Sequence, residues 1–139
     1  MKLITFIGTG AFIVLSSFIM KKGNTNQSVS LYETKWSLKK IHTGNNVPDM
    51  PANAFIRFDQ EKKRAGGNGG CNSFGGSLVV MNDLINISTI FSTKMFCEET
   101  QQTEDAFFKQ LEKVNRFEIK GKTLMLYRDK ELLLEFVSE

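Results

Sequence analysis

The sequence predicts a mainly β fold with one α-helix, arranged as a small antiparallel β-barrel or closed sandwich. Seven or eight short segments alternate apolar and polar residues, the period of a strand with one buried face. Tight turns separate these segments, which favours antiparallel neighbours. One segment, within residues 100–114, has the period of an amphipathic helix. At 139 residues and 41% hydrophobic content, the chain has room for one domain with one core.

The N-terminus carries a targeting pattern. Residues 3–20 are a hydrophobic run behind Lys2, which is typical of an export signal. The run is also near the length that spans a bilayer, and two lysines follow it, so an uncleaved membrane anchor is the alternative. We therefore assign residues 1–22 to a signal peptide or anchor, 23–30 to a polar linker and 31–139 to the domain. Both alternatives place the domain outside the cytoplasm, in the periplasm or cell envelope.

The net charge of +3 arises in the leader. Of 18 basic residues, three lie within residues 1–22, which leaves 15 against 15 acidic residues in the rest of the chain. A neutral domain lacks the basic surface that nucleic acids require. We expect no nucleic-acid partner, and contact with a membrane only through an uncleaved N-terminal segment.

Five strands are predicted in the first two thirds of the chain, at residues 33–41, 54–59, 63–67, 76–80 and 84–90. Residues 42–53 hold both prolines and several turn formers, and are predicted to be a loop. Asn82 and Asp83 separate two apolar runs and indicate a hairpin.

The helix prediction rests on Phe107, Leu111 and Val114, which share one face of a 3.6-residue period. The polar face is predicted to hold Glu104, Asp105, Lys109, Gln110, Glu112 and Lys113. Thr100 and Thr103 are the candidate N-caps. Acids near the start and lysines later suit the helix dipole.

The chain ends in a predicted meander. Strands at residues 117–119, 124–126 and 132–136 are joined by turns at 120–122 and 128–130. The inward positions of the last strand are predicted to be Leu132, Leu134 and Phe136.

Residues 66–76 contain six of the eleven glycines. Neither the dinucleotide-binding fingerprint nor the P-loop pattern is completed there, and a strand rather than a helix follows, so phosphate binding is disfavoured. We expect a tight corner or bulge in which backbone passes close to backbone. Asn68, Asn72 and Ser73 are predicted to hydrogen-bond the loop backbone, or, if exposed, to contact a polar ligand.

Cys71 and Cys97 form an even cysteine count in an exported domain, which favours a disulfide. Such a bridge closes a loop of about 26 residues and contributes about 3 to 3.5 kcal/mol on the chain-entropy model. Two buried thiols are the alternative. A redox-catalytic pair is disfavoured because no Cys-x-x-Cys motif is present.

Several motifs, in a fixed order, resemble the META domain, the family of the heat-shock protein HslJ. They are Trp36-x-Leu38, Phe58, the block from Gly67 to Gly76 with Cys71-Asn72, Ile87, Thr93-Lys94-Met95-Phe96-Cys97, Glu104 with Phe108 and Leu111, and Gly121-x-x-Leu124-x-Leu126. The resemblance covers nearly all of residues 31–137. It implies a small barrel-like domain with one helix, no known enzymatic activity, and loose associations with heat stress and antibiotic tolerance. Members resembling this chain are often envelope lipoproteins, but the chain lacks the lipobox cysteine.

A basic cluster is predicted around one turn and comprises Arg57, Lys62, Lys63 and Arg64, with Lys35, Lys39 and Lys40 on a neighbouring strand. A solvated hairpin is the default interpretation. A contact patch for an acidic partner or lipid head group is the functional alternative.

No metal site, cofactor or catalytic residue is predicted. The single histidine, His42, lies in a predicted loop, and neither zinc nor EF-hand spacing occurs. The sequence contains no Gly-x-Ser-x-Gly nucleophile elbow, so a hydrolase is not supported. The acidic pairs Glu98-Glu99 and Glu104-Asp105 are interpreted as capping and solvated residues near the helix start.

We therefore expect a non-catalytic, monomeric cell-envelope domain that acts through binding or as a stress-tolerance accessory, with an unknown envelope protein as partner. A carrier of a small apolar ligand in the barrel interior is the second hypothesis, and a thiol-dependent enzyme the third. Phenylalanines are expected to fill the interior and leave little room for a ligand: Phe55, Phe58, Phe74, Phe91, Phe96, Phe107, Phe108, Phe117 and Phe136.

Overall fold

The computed structural model describes residues 28–44, 50–51 and 53–139. Within these residues the chain forms eight strands and one helix, which confirms the predicted fold class. The elements are β1 (Trp36–Ile41), β2 (Phe55–Asp59), β3 (Arg64–Asn68), β4 (Ser73–Met81), β5 (Leu84–Ser92), α1 (Gln101–Leu111), β6 (Arg116–Lys120), β7 (Thr123–Arg128) and β8 (Glu131–Ser138).

The strands pair antiparallel in sequence order and close into a barrel-like ring. β1 pairs with β2 on one side and with β8 on the other, so the first and last strands complete the ring. The narrowest join lies between β5 and β6, where Leu84 and Arg116 are the paired residues. The backbone N–H of Ile85 adds a hydrogen bond of 3.1 Å to the carbonyl of Asn115 at that join.

The predicted signal segment and most of the predicted linker lie outside the described residues. The backbone N–H of Val29 lies 3.3 Å from the carbonyl oxygen of Gly121, and Leu31 is buried in the core. The folded domain thus includes the last residues assigned to the linker. No helix among the described residues is long and apolar enough to cross a membrane.

The helix is shorter than predicted: it ends at Leu111, whereas the sequence predicted a helix that extends as far as Val114. Thr100 occupies the N-cap position, but its hydroxyl makes no capping hydrogen bond, and Thr103 is buried inside the first turn. Thr100 is thus the N-cap residue, one of the two predicted candidates, although it satisfies no backbone N–H through its hydroxyl. Phe107 and Leu111 are fully buried, as their spacing predicts.

The glycine-rich stretch is more strand than corner. β3 and β4 run into it from both sides, so the connection is residues 69–72 and β4 begins three residues before the predicted start. The expected close approach occurs at Gly67, where a Cβ atom would lie 2.0 Å from the carbonyl oxygen of Phe55. The expected bulge occurs where pairing with β5 shifts between Gly75 and Ser77.

Large side chains fill the ring. Trp36, Phe107, Phe136, Leu124 and Leu126 are completely buried, and other core positions come from every strand except β6. This packing is dense, as protein interiors are.

The phenylalanine prediction is only partly correct. Phe58, Phe74, Phe107 and Phe136 are buried, whereas Phe55, Phe108 and Phe117 are half-buried. Phe91 and Phe96 are 60% and 78% exposed, so their assignment to the interior is wrong.

The last strand also departs from simple alternation. Leu134 and Phe136 are buried as predicted, but Leu132 is half-buried and Leu133 is buried instead. Leu126 pairs with Leu134 and Tyr127 with Leu132, which leaves Leu133 as an extra residue opposite β7. A bulge of this kind changes the face that later side chains occupy.

Candidate functional site

Glu104 on α1 organises the connection between β3 and β4. Its side chain is 1% exposed, and its Oε2 accepts hydrogen bonds from the backbone N–H groups of Cys71 at 2.9 Å and Asn72 at 2.6 Å. Its Oε1 accepts a third bond, of 2.6 Å, from Nδ2 of Asn72. Burying even a neutral polar group without hydrogen bonds costs about 2 to 7 kcal/mol in lost hydration, and burying a carboxylate without donors costs far more. The three donors compensate for that loss.

Asn72 connects this carboxylate to the segment after β5. Its side-chain Oδ1 accepts from the hydroxyl of Thr93 and from the backbone N–H of Met95, both at 2.8 Å. Its Nδ2 also lies 3.0 Å from the carbonyl oxygen of Met95. Asn72 is 3% exposed, so of the two predicted roles the structure favours the backbone-bonding one.

A disulfide joins Cys71 to Cys97, with the Cα atoms 6.0 Å apart. It ties the β3–β4 connection to the segment just before α1, the same two regions that Glu104 and Asn72 hold together. No free cysteine remains in the described part of the chain. One covalent link and several hydrogen bonds therefore fix a single corner of the domain.

Two glycines make this corner fit. A Cβ atom at Gly69 would lie 2.6 Å from Cζ of Phe108 and 2.7 Å from Oε2 of Glu104. Gly70 has φ of +121°, a conformation that residues with a side chain rarely adopt. Asn68 stabilises the turn by accepting a 2.7 Å hydrogen bond from the N–H of Gly70.

The interpretation of Glu104 as a capping and solvated residue is wrong. Glu104 lies three residues before Phe107 and seven before Leu111, so it occupies the helix face that packs inward. That spacing was available in the sequence. Its neighbour Asp105 is exposed, as predicted.

A second feature is a groove on the outer face of β2–β5. Strand pairing places Arg57, Gly66, Gly75 and Phe91 side by side in one row across four strands. The two glycines alternate along their strands with buried residues, so their missing side chains would have pointed outward. The result is a floor of glycine backbone between an arginine and an exposed aromatic ring, and the tip of that ring lies over Gly75.

Two segments form the walls of this groove, which has a volume of about 840 Å³. One wall is the β2–β3 hairpin, and the other is the segment of residues 30–33 that precedes β1. Its lining carries three basic side chains (Arg57, Lys62 and Arg64) and three acidic ones (Glu33, Asp59 and Glu61), with Tyr32, Ser30 and Gln60.

The structure brings most of the predicted basic cluster to the groove. Arg57, Lys62 and Arg64 line it, whereas Lys63 has φ of +49° at the hairpin turn and does not. Asn68 and Ser73 lie on the same outer face, but they do not line the groove.

Charges at the end of β8 lie close to Arg57. Nζ of Lys35 is 2.6 Å from Oε2 of Glu139, and the hydroxyl of Ser37 donates to Oε1 of Glu139. The hydrogen bonds from Lys35 and then Ser37, together with the charges of Lys35 and Arg57, hold the pKa of Glu139 below its ordinary value.

His42 is not a fully solvated loop residue. Its side chain is 29% exposed, and its Nε2 lies 3.5 Å from Oε1 of Glu135. No group of three or more metal-ligating side chains occurs among residues 28–44, 50–51 and 53–139.

The order of these parts along the chain agrees with a known family. The META domain matches residues 29–139, which is the whole of the described barrel and helix. The chain belongs to the META domain family. No curated protein matches this META domain.

Two solved structures share the fold of this META domain. An NMR structure of a protein from Burkholderia xenovorans is 23% identical, with a TM-score of 0.62 over 78% of this chain and 83% of that one. A second protein solved by NMR is 18% identical, with a TM-score of 0.56 over 78% of this chain and 95% of that one. At these identities the likeness establishes the fold alone. The family and the disulfide fit an extracellular or envelope protein.

Proposed function

We propose that this META domain is a non-catalytic binding module of the cell envelope and that the outer groove is its binding surface. The observation that carries the proposal is the row of Arg57, Gly66, Gly75 and Phe91, in which two glycines lie between a cation and an exposed aromatic ring. Ligand sites commonly combine a concave surface, an aromatic side chain and a few placed polar groups. A hairpin that is only solvated does not require an exposed aromatic ring and a concave surface beside its charged side chains.

The groove is also rigid where it has to be. Its floor belongs to β3 and β4, each of which is paired on both sides. A preformed floor lowers the ordering cost of binding.

Three observations support this function over its rivals. Large buried side chains fill the barrel interior, which leaves the carrier hypothesis little space for an apolar ligand. Cys71 and Cys97 are bonded to each other, so a thiol enzyme would first need a reductant. Glu104, the most buried carboxylate, has three hydrogen-bond donors and a structural role.

The proposed location is the periplasm or cell envelope. The hydrophobic run of residues 3–20 and the disulfide support export, with the segment either cleaved or retained as an anchor. We propose a monomer without cofactor or nucleic-acid partner, consistent with the even charge balance of the domain. A role as a stress-tolerance accessory would follow from the bound partner.

The test uses ¹⁵N-labelled protein purified from the envelope of the expressing cells. Polysaccharide, peptide and lipid fractions of the envelope are titrated into it, and amide shifts are followed by NMR. The proposal expects saturable shifts clustered at the groove with at least one fraction. Shifts confined to other surfaces, or none with any fraction, would overturn it.

Gly75→Val supplies the matched variant. The new side chain would occupy the groove floor, where the nearest atoms to its Cβ position belong to the exposed Phe91 ring, the first at 2.9 Å. Ser73→Val is the control, because it lies on the same face of the same strand but outside the groove. Binding should be lost in the first variant and retained in the second.

A further inference from the structure

The groove lining identifies the ligand more narrowly. Resting on the proposed function, we propose that the groove binds a saccharide chain, with sugar hydroxyls held by the charged side chains and a sugar ring packed against Phe91. Four features of the lining lead to this ligand class.

The first feature is the even mixture of charges. Arg57 and Arg64 supply hydrogen-bond donors, whereas Asp59 and Glu61 supply acceptors within the same lining. A sugar hydroxyl both donates and accepts, so a polyhydroxyl ligand can satisfy both kinds of group. A phosphate-rich ligand would face the carboxylates, and an apolar lipid would strip water from charged groups without replacing their hydrogen bonds.

The second feature is that both strands of the groove floor are already paired with a neighbouring strand on each side. β3 pairs with β2 and β4, and β4 pairs with β3 and β5. Peptides that bind by strand addition need an unpaired sheet edge, which this floor does not offer. Recognition must therefore use side chains, as it does for sugars.

The third feature is the aromatic contact. The ring of Phe91 lies over Gly75, is 60% exposed and borders the groove. Aromatic rings offer a flat apolar surface with a negative face, which suits the C–H groups on one side of a pyranose ring. Tyr32 on the opposite wall adds a half-buried ring with a hydroxyl group.

The fourth feature is the construction of the wall before β1. Glu33 has φ of +60°, which is uncommon for a residue with a side chain. Thr34 donates a 2.8 Å hydrogen bond to the carbonyl of Ser30, and Trp36 donates 3.0 Å from Nε1 to the carbonyl of buried Leu31. Strained backbone held by its surroundings is frequent at binding sites. Here the two hydrogen bonds hold the segment that carries Tyr32 and Glu33.

The experiment titrates defined probes into the ¹⁵N-labelled protein: maltotetraose, N-acetylchitotetraose, tetraglutamate and inorganic tripolyphosphate. We expect saturable shifts at Gly66, Gly75 and Phe91 with at least one tetrasaccharide, at dissociation constants in the range of about 0.01 to 1 mM for a small open site. Neither anion should shift these resonances to saturation.

Two phenylalanines provide a matched pair of variants. Phe91→Ala should weaken saccharide binding by about tenfold or more, because it removes the aromatic surface at the groove. Phe96→Ala is the control, since Phe96 is 78% exposed and lies outside the groove. Both positions are exposed, so neither change should unfold the domain.

The outcomes separate the two proposals. If neither tetrasaccharide shifts the amide resonances of the groove, saccharide binding is overturned. The same holds if Phe91→Ala and the wild type bind the saccharide with equal affinity. If peptide or lipid fractions of the envelope nevertheless shift the groove resonances, the binding module survives and its ligand class is wrong. If neither the sugars nor the envelope fractions shift the groove resonances, both proposals fail together.

Discussion

The side chains of Glu104 and Asn72 meet inside the domain, with Oε1 of the carboxylate 2.6 Å from Nδ2 of the amide. The same carboxylate accepts two backbone N–H groups, and the same amide binds the Thr93–Met95 segment. The helix, the β3–β4 connection and the segment after β5 are thereby joined through one pair of side chains. The buried acid therefore has a structural role, because it holds these three segments together.

The first prediction concerns the charge of Glu104. Glu104→Gln keeps one oxygen that can accept the N–H groups of Cys71 and Asn72, but it replaces the other by an NH₂ group, which donates and cannot accept from Nδ2 of Asn72. It also removes the negative charge from the acceptor. Hydrogen bonds to charged groups contribute roughly 1.5 to 3 kcal/mol each, so we expect the free energy of unfolding to fall by about 2 to 4 kcal/mol. Urea denaturation measures the change.

Asp105→Asn is the control for that prediction. Asp105 is exposed and accepts a 2.9 Å hydrogen bond from Gln101 one turn earlier. Its loss should change stability by no more than about 0.5 kcal/mol. Equal effects of the two variants would mean that the buried network does not stabilise the fold.

The second prediction concerns the disulfide. Alkylation and intact mass of protein from the cell envelope should find no free thiol before reduction and two afterwards, at monomer mass. Replacing Cys71 and Cys97 by alanine should lower the free energy of unfolding by about 3 kcal/mol, because the unfolded chain regains the freedom of a 26-residue loop. Two alkylatable thiols without reductant would contradict the bridge. The same mass also reveals whether residues 1–22 have been removed.

The third prediction concerns pH. The pKa of Glu139 is lowered by its hydrogen bonds to Lys35 and Ser37 and by the charges of Lys35 and Arg57. A carboxyl with a lowered pKa in the folded state stabilises the fold above its unfolded pKa, and this contribution is lost as the pH falls below about 4.5 through the folded pKa. Lys35→Met should therefore raise the pKa of Glu139 and weaken the acid dependence.

A titration of the side-chain carboxyl carbon of Glu139 by NMR measures that shift. Lys130→Met is the control, because it removes an equal charge from an exposed turn at the opposite end of β8 from Glu139. An unchanged Glu139 titration in Lys35→Met would show that the contact does not persist in solution.

The sequence predicted the strands along the chain and their antiparallel arrangement, because alternating residues and turn formers act locally. It also favoured a disulfide between the two cysteines, from their number and compartment. It did not predict the burial of Leu133, since a bulge in one strand depends on its partner. Nor did it predict the groove, because Gly66 and Gly75 are nine residues apart and become neighbours only through the register of β3 with β4. The basic cluster was visible, and Asp59 and Glu61 lie in the same hairpin. The remaining acid, Glu33, and the aromatic residues Tyr32 and Phe91 come from other elements.

The burial of Glu104 was not predicted either, although part of the signal was present in the sequence. Its helix face was readable from its spacing to Phe107 and Leu111, yet an acid on an apolar face has no explanation until its donors are known. Those donors, the N–H groups of Cys71 and Asn72, lie more than thirty residues earlier in the chain. Long-range contacts of this kind leave no periodic signal.

The last prediction concerns the closest backbone approach in the ring. A Cβ atom at Gly67 would lie 2.0 Å from the carbonyl oxygen of Phe55 and 2.9 Å from its carbonyl carbon. Backbone atoms paired in a sheet cannot move aside without breaking the β2–β3 ladder. We expect Gly67→Ala to lower the free energy of unfolding by more than about 3 kcal/mol, an effect typical of severe overpacking.

Gly66→Ala is the matched control in the same strand. Its Cβ atom would point to the groove and lie 3.1 Å from the carbonyl oxygen of Phe74, which requires a movement of only a few tenths of an ångström. A change of about 1 kcal/mol or less is expected, and thermal unfolding of the two variants compares them directly. If Gly67→Ala were tolerated as well as Gly66→Ala, β2 and β3 would have to lie farther apart at this point than the structure places them. Because Phe55 begins β2, such tolerance would also contradict the register that brings Arg57 beside the glycine floor.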